Sequence, residues 1–189
     1  MDEELLRAVN QGMANPQMDA VMVIFSLLGM TLIWLVWAIP LWLKNKKRTA
    51  LELLIVIIII DLVVLVVKLL VARERPTDVR LVAPLAFDFS ISEYSFPSGH
   101  AARAFGAFLI LSLSFRKRLL IAPLFVYAFL IALSRVYLGM HYPSDVLVGA
   151  FIGLGLAYAF YRASRTTFLK GYIDKLIRGI EGVTSSVIR

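Results

Sequence analysis

The chain has no cysteine, only two histidines and few charged residues for its length. Without cysteine, disulfides, thiolate nucleophiles and zinc–thiolate sites are excluded, and the redox compartment stays open. Charged residues make up 17% of the sequence, against about 25% in soluble domains. Hydrophobic residues make up 60% and gather in runs of about 20, the length of a membrane-spanning helix. The sequence therefore predicts an integral membrane protein of the all-α class.

The positive charge of the chain, +7 overall, lies in short clusters. These clusters are Lys44 to Arg48, Arg116 to Arg118, and the tail from Arg162. Short basic connections between spans face the cytoplasm by the positive-inside rule. We therefore interpret the charge as topological and expect no nucleic-acid partner. The acidic N-terminus lacks the basic region of a signal peptide, so no cleaved leader is expected.

Five apolar segments are predicted to cross the membrane as a polytopic helical bundle. They cover residues 20–43, 51–70, 97–114, 119–137 and 143–161. Residues 1–17 predict an interfacial helix, and residues 163–189 predict a cytoplasmic amphipathic helix, because both carry apolar side chains at helical spacing. The whole chain, 1–189, is expected to form one domain with its transmembrane core at 18–162. Five crossings with the basic clusters inside place the N-terminus outside and the C-terminus in the cytoplasm.

Three polar blocks lie at the ends of these spans, all on the predicted outer side. The blocks are Lys68 with Arg75; Pro97, Ser98, Gly99 and His100; and Ser134 and Arg135 with His141 and Asp145. The charge rule uses none of these residues. Their convergence on one face is therefore an independent indication of one composite site.

The block from Pro97 to His100 is typical of a helix start that binds an anion. Proline suits the first helical turn because its missing N–H would be unpaired there. Free amides and the helix dipole attract a phosphate to such a terminus, and glycine lets it approach closely. His100 would then stand beside the phosphate as a proton donor. The alternative is an ordinary capped helix with an interfacial histidine.

The remaining blocks supply cations and a second imidazole. Lys68, Arg75 and Arg135 either anchor the chain at the interface or grip phosphate oxygens. His141 lies two residues before Pro143, on the predicted turn, with Asp145 in the first turn of the next helix. A carboxylate there can fix the tautomer of the ring and leave its other nitrogen free to attack. The alternative is a surface His–Asp pair.

Together the blocks resemble the three-part signature of the type 2 phosphatidic acid phosphatase superfamily, which includes the vanadium haloperoxidases. That signature is lysine, six residues and Arg-Pro; then Pro-Ser-Gly-His; then Ser-Arg, five residues, histidine, three residues and aspartate. The match has no substitution and covers residues 68–145. The layout is most similar to the bacitracin-resistance type of undecaprenyl-diphosphate phosphatase.

The resemblance implies a role for each residue. His141 would attack phosphorus and become a phosphohistidine, with Asp145 orienting it. His100 would protonate the leaving group and then activate water. The phosphate would be held by Lys68, Arg75, Ser98, Gly99 and Arg135. The family pattern implies neither a metal nor another cofactor.

Several charged or small residues, most of them outside the signature, have more than one possible role. Asp61, deep in the second span, either supports the site or makes a buried helix contact. Arg103, one turn beyond His100, is a candidate for contacting the substrate, as are Ser134 and Pro97. Arg73 and Arg80 are expected to pair with the nearby acids Glu74, Asp78, Asp88 or Glu93 rather than with a second phosphate. Gly149 and Gly153 predict close helix packing.

The sequence thus predicts a multi-pass plasma-membrane phosphatase whose pocket opens on the extracytoplasmic face. The preferred substrate is a polyprenyl diphosphate, hydrolysed to the monophosphate, with phosphatidic acid and phosphatidylglycerophosphate as alternatives. A vanadate-dependent oxidase on the same fold is a further alternative, but nothing in the sequence marks a halide site. A transporter with Asp61 on its pathway would leave the signature unexplained. The oligomeric state is not predicted.

Overall fold

The regular structure of the described residues is helical. The computed structural model describes residues 1–80 and 93–187, with backbone alone for 183–187. The helices are α1 (Asp2–Asn10), α2 (Pro16–Leu28), α3 (Thr31–Leu43), α4 (Lys47–Val71), α5 (Gly99–Phe115), α6 (Arg118–Tyr137), α7 (Pro143–Ala163) and α8 (Thr167–Val187). These two described stretches contain no strand, which confirms the all-α prediction. Asp88, one of the acids expected to pair with Arg73 or Arg80, lies outside them.

Three helices, α4, α6 and α7, are long and apolar enough to cross a membrane. The pair α2 and α3 passes the same test only when it is taken as one bent span. Helix α5 has 17 residues, or about 26 Å of helix, against a hydrocarbon core of about 30 Å. A membrane-spanning bundle is therefore confirmed, while the count of five crossings stays a prediction.

The first predicted span is broken, where the sequence predicts one uninterrupted segment. Helix α2 ends at Leu28 and α3 begins at Thr31, with a bend of 67° between them. At the break Met30 is extended, and the Gly29 carbonyl accepts a hydrogen bond from Arg103 at 3.1 Å. A Cβ on Gly29 would lie 2.6 Å from the His100 ring. The break therefore brings backbone directly against α5.

Helix α5 lies at the centre of the bundle and packs against α4, α6 and α7. Its contact with α7 is close, because a Cβ on Gly149 would lie 2.4 Å from the Ser98 carbonyl oxygen. A Cβ on Gly153 would lie 2.0 Å from the Ala102 carbonyl oxygen. These two glycines therefore serve the helix packing that their spacing predicts.

The two ends of the bundle differ in their charged residues. The site end comprises the C-termini of α4 and α6 and the N-termini of α5 and α7, and it carries the signature residues. The opposite end, here called the basic end, carries the clusters at 44–48 and 116–118. There the buried Glu52 accepts hydrogen bonds from Arg48 at 3.0 Å and from Arg165 at 2.5 Å. Arg48 also binds Asp174 at 3.1 Å, which ties α8 to the bundle.

Candidate active site

Helix α5 begins at the site end with a capped first turn. Ser98 is the N-cap, and its side chain accepts a hydrogen bond from the Ala101 amide at 3.5 Å. Pro97 therefore precedes the cap, and the prediction that it occupies the first turn is wrong. Gly99 and His100 are the first two helical residues, and both are buried. The first-turn amides of α5 thus face the end where the other signature residues lie.

Lys68 and Arg75 flank the C-terminus of α4 and hold the segment that leads to α5. The buried Lys68 ammonium donates to the carbonyls of Tyr94 and Ser95. The Arg75 Nε donates to the Glu93 carbonyl at 2.9 Å. Two of the predicted phosphate-binding cations therefore also position the backbone that precedes the Pro97 block.

Ser134 and Arg135 lie in the last turn of helix α6. Arg135 is only 3% exposed, and its guanidinium donates to the Ser26 hydroxyl of α2. The Ser134 hydroxyl donates to the Ile131 carbonyl at 2.6 Å, within its own helix. Ser134 is therefore engaged with its own backbone, whereas Arg135 lies in the interior of the site.

His141 and Asp145 lie where α6 turns into α7. His141 is on the turn before Pro143, and Asp145 is in the first turn of α7. The His141 Nδ1 is 3.6 Å from Asp145 Oδ2, within ion-pair range but longer than a hydrogen bond. Instead, Oδ2 accepts from the Tyr142 amide at 2.9 Å, and Oδ1 accepts from Arg73 at 2.7 Å. The carboxylate is thus fixed mainly by neighbours other than the histidine.

The protonation of His141 follows from its surroundings. Burial lowers its pKa to about 4, and the charges of Arg135, Lys68 and Arg75 act in the same direction, against an opposing contribution from Asp145. A neutral imidazole at physiological pH has a free nitrogen lone pair. His141 is therefore in the protonation state that a nucleophile requires.

The signature residues come together in space. His141 lies within electrostatic range of Lys68, Arg75 and Arg135, and His100 within range of His141, Arg75 and Arg135. The Ser98 amide donates to the Asp145 carbonyl at 3.0 Å, which joins the starts of α5 and α7. Two imidazoles and three cations are therefore clustered at the site end.

Asp61 and Arg103 form a polar network behind His100. Arg103 donates to Asp61 Oδ1 at 2.6 Å and contacts His100 Nδ1 at 3.2 Å. The Thr31 hydroxyl donates to the other Asp61 oxygen at 3.0 Å. A guanidinium has only donors, so Nδ1 accepts, and the proton of neutral His100 lies on Nε2. Arg103 thus points to the back of the imidazole.

The predicted partners of Arg73 and Arg80 were wrong. Arg73 binds Asp145 and also Asp2, at 2.8 Å, and stacks 3.9 Å from the centre of the Tyr142 ring. Arg80 binds Asp19 at 2.7 Å. Proximity in sequence suggested the neighbouring acids, but the folded N-terminal segment brings Asp2 and Asp19 to the site end. Spacing within the signature gives no signal for Arg73.

No group of three or more histidine, aspartate and glutamate side chains within residues 1–80 and 93–182 is arranged to hold a metal ion.

The chain is similar in sequence to known phosphatases of lipids. It is 44% identical over 68 residues to the lipid A 4′-phosphatase of Bacteroides thetaiotaomicron, a match covering 36% of this chain and 30% of that protein. It is 29% identical over 163 residues to the undecaprenyl-diphosphatase of Sulfolobus acidocaldarius, covering 82% of this chain and 74% of that protein. The chain thus spans less than a third of the first relative and about three quarters of the second.

The fold and the family are also shown by comparison. The crystal structure of LpxE from Aquifex aeolicus superimposes with a TM-score of 0.74 at 33% identity, covering 84% of this chain and 93% of that one. The sequence profile of the PAP2 superfamily matches residues 49–168, which include the whole signature. The chain is therefore a member of the PAP2 superfamily.

Proposed function

We propose that this phosphatase hydrolyses a polyprenyl diphosphate to its monophosphate through a phosphohistidine intermediate. The observation that supports it best is the clustering of His100, His141 and three cations at one end of a membrane bundle. A phosphate anchored there would keep its lipid chain in the bilayer.

In the first step, His141 attacks the terminal phosphorus. Because Nδ1 faces Asp145, Nε2 is the attacking atom. The P–N bond forms as the bond from phosphorus to the bridging oxygen breaks, and the lipid monophosphate leaves with the electron pair of that bond. Lys68, Arg75, Arg135, the Ser98 hydroxyl and the Gly99 amide stabilise charge on the other oxygens. Water then cleaves the P–N bond and releases phosphate.

The state of His100 favours a diphosphate substrate. With Nδ1 accepting from Arg103, Nε2–H can donate a hydrogen bond to the leaving oxygen. A phosphate leaving group is already stable as an anion near neutral pH, whereas an alkoxide needs full protonation. A hydrogen bond therefore suffices for the diphosphate. To activate water, His100 would have to accept a proton on Nε2, which requires Arg103 to release Nδ1. This role of His100 stays a prediction.

The relatives support lipid phosphates as a class more strongly than any one lipid. One acts on undecaprenyl diphosphate and another on lipid A. Phosphatidic acid and phosphatidylglycerophosphate are the alternatives within the same chemistry, because each presents a terminal phosphate beside an apolar chain.

The protein is further proposed to act without a metal, in the plasma membrane, with its site end on the extracytoplasmic face. The cations of the site supply the charge that a metal would otherwise provide. The basic clusters lie at the other end of the bundle, which by the positive-inside rule belongs in the cytoplasm.

Parallel assays of purified protein test the activity. With chelator present, we expect faster release of phosphate from polyprenyl diphosphate than from phosphatidic acid, and inhibition by vanadate. His141→Ala should lower turnover by at least about a thousandfold and should form no acid-labile phosphoenzyme from labelled diphosphate. His100→Asn should still accumulate some.

Three outcomes would contradict parts of this proposal. Sustained turnover by His141→Ala would show that the reaction does not pass through a phosphohistidine at His141. Faster hydrolysis of phosphatidic acid than of polyprenyl diphosphate would show that phosphatidic acid is the better substrate. Loss of activity in chelator, restored by a divalent ion, would show that the enzyme needs a metal.

A further inference from the structure

The basic end of the bundle contains a cavity that the proposed phosphatase chemistry does not use. Helices α3, α4, α5 and α6 enclose about 570 Å³ there, a volume within the range of small-molecule sites. Its walls are aromatic and aliphatic, with Trp34, Trp37, Phe108 and Tyr127 among them, and its lining includes Lys44 and Lys46.

The depth of the cavity matches one leaflet of a membrane. Trp34 and Lys44 both line it, and ten residues of helix between them correspond to about 15 Å. This is half of a hydrocarbon core about 30 Å thick. Trp34 is buried and meets the Tyr127 ring edge-on at 6.1 Å between centroids. The lining of the cavity therefore extends over about 15 Å along α3, which is comparable to the length of one acyl chain.

The two lysines differ from their basic neighbours. Lys47 pairs with Glu181, and Arg48 pairs with Glu52 and Asp174. Lys44 and Lys46 are exposed, and neither ammonium has an ion-pair partner among the side chains that the structure describes. Their charge is therefore available to an anion at the mouth of an apolar cavity.

We propose that this cavity binds one anionic diacyl phospholipid from the leaflet opposite the candidate active site. One acyl chain would fill the space between Trp34 and Leu41, and the phosphate would lie against Lys44 and Lys46. A basic residue near the membrane surface favours an anionic headgroup over a zwitterionic one. The site does not depend on the chemistry proposed for the histidines, because it lies at the other end of the bundle.

Tryptophan fluorescence tests this site directly. The chain has three tryptophans, and a Trp42→Phe variant retains the two that line the cavity. In detergent micelles, phosphatidylglycerol brominated on its acyl chains should quench their fluorescence saturably. The same bromination on phosphatidylcholine should require several times more lipid. A double Lys44→Gln, Lys46→Gln variant should weaken phosphatidylglycerol quenching by about tenfold or more and leave phosphatidylcholine quenching unchanged.

A matched control removes equal charge elsewhere at the basic end. Lys170→Gln with Lys175→Gln changes two exposed lysines of α8 and should leave the titration as it was. Native mass spectrometry should show one phosphatidylglycerol retained per chain, and fewer in the Lys44, Lys46 variant. Equal quenching by both lipids, or equal effects of the two lysine pairs, would overturn the proposal.

Discussion

The polar atoms of the two buried histidines are held differently. His100 Nδ1 accepts from Arg103, and that guanidinium is itself held by Asp61. His141 Nδ1 has no hydrogen-bond partner among the described residues and lies 3.6 Å from Asp145. Catalytic hydrogen bonds are often long in free enzymes and shorten with substrate. We therefore expect the His141 ring to settle onto Asp145 when a phosphate binds.

The lowered pKa of His141 gives a direct titration test. The neutral form is favoured in the folded protein because charging the ring there requires desolvation. His141 should therefore stay neutral as pH falls through 6.5 and gain a proton only near the value of about 4. Since the chain has two histidines, NMR of histidine-labelled protein should show two ring signals, assigned with His100→Asn. A midpoint between 6 and 7 for His141 would contradict the burial argument.

Arg103 is expected to act on the reaction through His100. Arg103→Ala should leave His100 Nδ1 without its hydrogen-bond donor. The ¹⁵N chemical shifts of the His100 ring should then change from those of one tautomer to those of a mixture of both tautomers. With polyprenyl diphosphate, kcat should fall by about 10²-fold while KM changes little. Arg103→Lys keeps a donor and should recover part of the rate. A fall in kcat without a change of tautomer would show that Arg103 acts in another way.

The signature could be located from sequence because its residues follow the ends of consecutive antiparallel spans. Alternate ends meet at one surface, so Lys68, His100, Arg135 and His141 had to lie on the same side. The contacts of Asp145 with Arg73, and of Arg73 with Asp2, could not be predicted. They depend on how the N-terminal segment folds back across the bundle, and no periodicity records that path.

At the scale of helices, the site depends on how closely α5 and α7 approach. The Ser98 amide and the Asp145 carbonyl bond at 3.0 Å, and this bond needs the two helix starts in contact. Gly149 and Gly153 leave the space for that approach. The packing of α5 against α7 within the bundle therefore determines how the first turns of these two helices are placed at the site end.

Gly153→Ala should separate these helices. The added Cβ would meet the Ala102 carbonyl oxygen at 2.0 Å, and backbone cannot move aside cheaply. Overpacking of this kind costs about 1–3 kcal/mol, so the melting temperature in detergent and kcat should both fall. Gly155→Ala on the same helix is the matched control, because its Cβ would meet nothing within 4 Å. Equal effects of the two changes would show that the close contact is unimportant.

The break between α2 and α3 could not be predicted from sequence. Residues 20–43 are apolar throughout apart from Ser26 and Thr31, with no proline near the bend. The cause is tertiary, since the Gly29 carbonyl and the Thr31 hydroxyl serve the Arg103–Asp61 pair. Charges that are partly removed from water require such partners. In an unbroken helix the Gly29 carbonyl would instead accept a hydrogen bond from its own helix.

For the whole molecule, the separation of charge between the two ends predicts its orientation in the membrane. Lys44, Lys46 and the cluster at 116–118 lie at the basic end, together with the Glu52–Arg165 pair that joins α4 to the connection before α8. Short basic connections resist translocation. The site end should therefore face outward even though it contains several buried or half-buried cations, because those cations are held within the fold.

Single-cysteine labelling in intact cells tests this orientation without background, since the chain has no cysteine of its own. Thr77 is exposed near the site end, and Lys117 is exposed at the basic end. A membrane-impermeant maleimide should label Thr77→Cys in intact cells and Lys117→Cys only after the membrane is opened. The reverse pattern would place the candidate active site in the cytoplasm. It would also move the proposed phospholipid cavity to the outer leaflet, so this experiment fixes the leaflet for both sites at once.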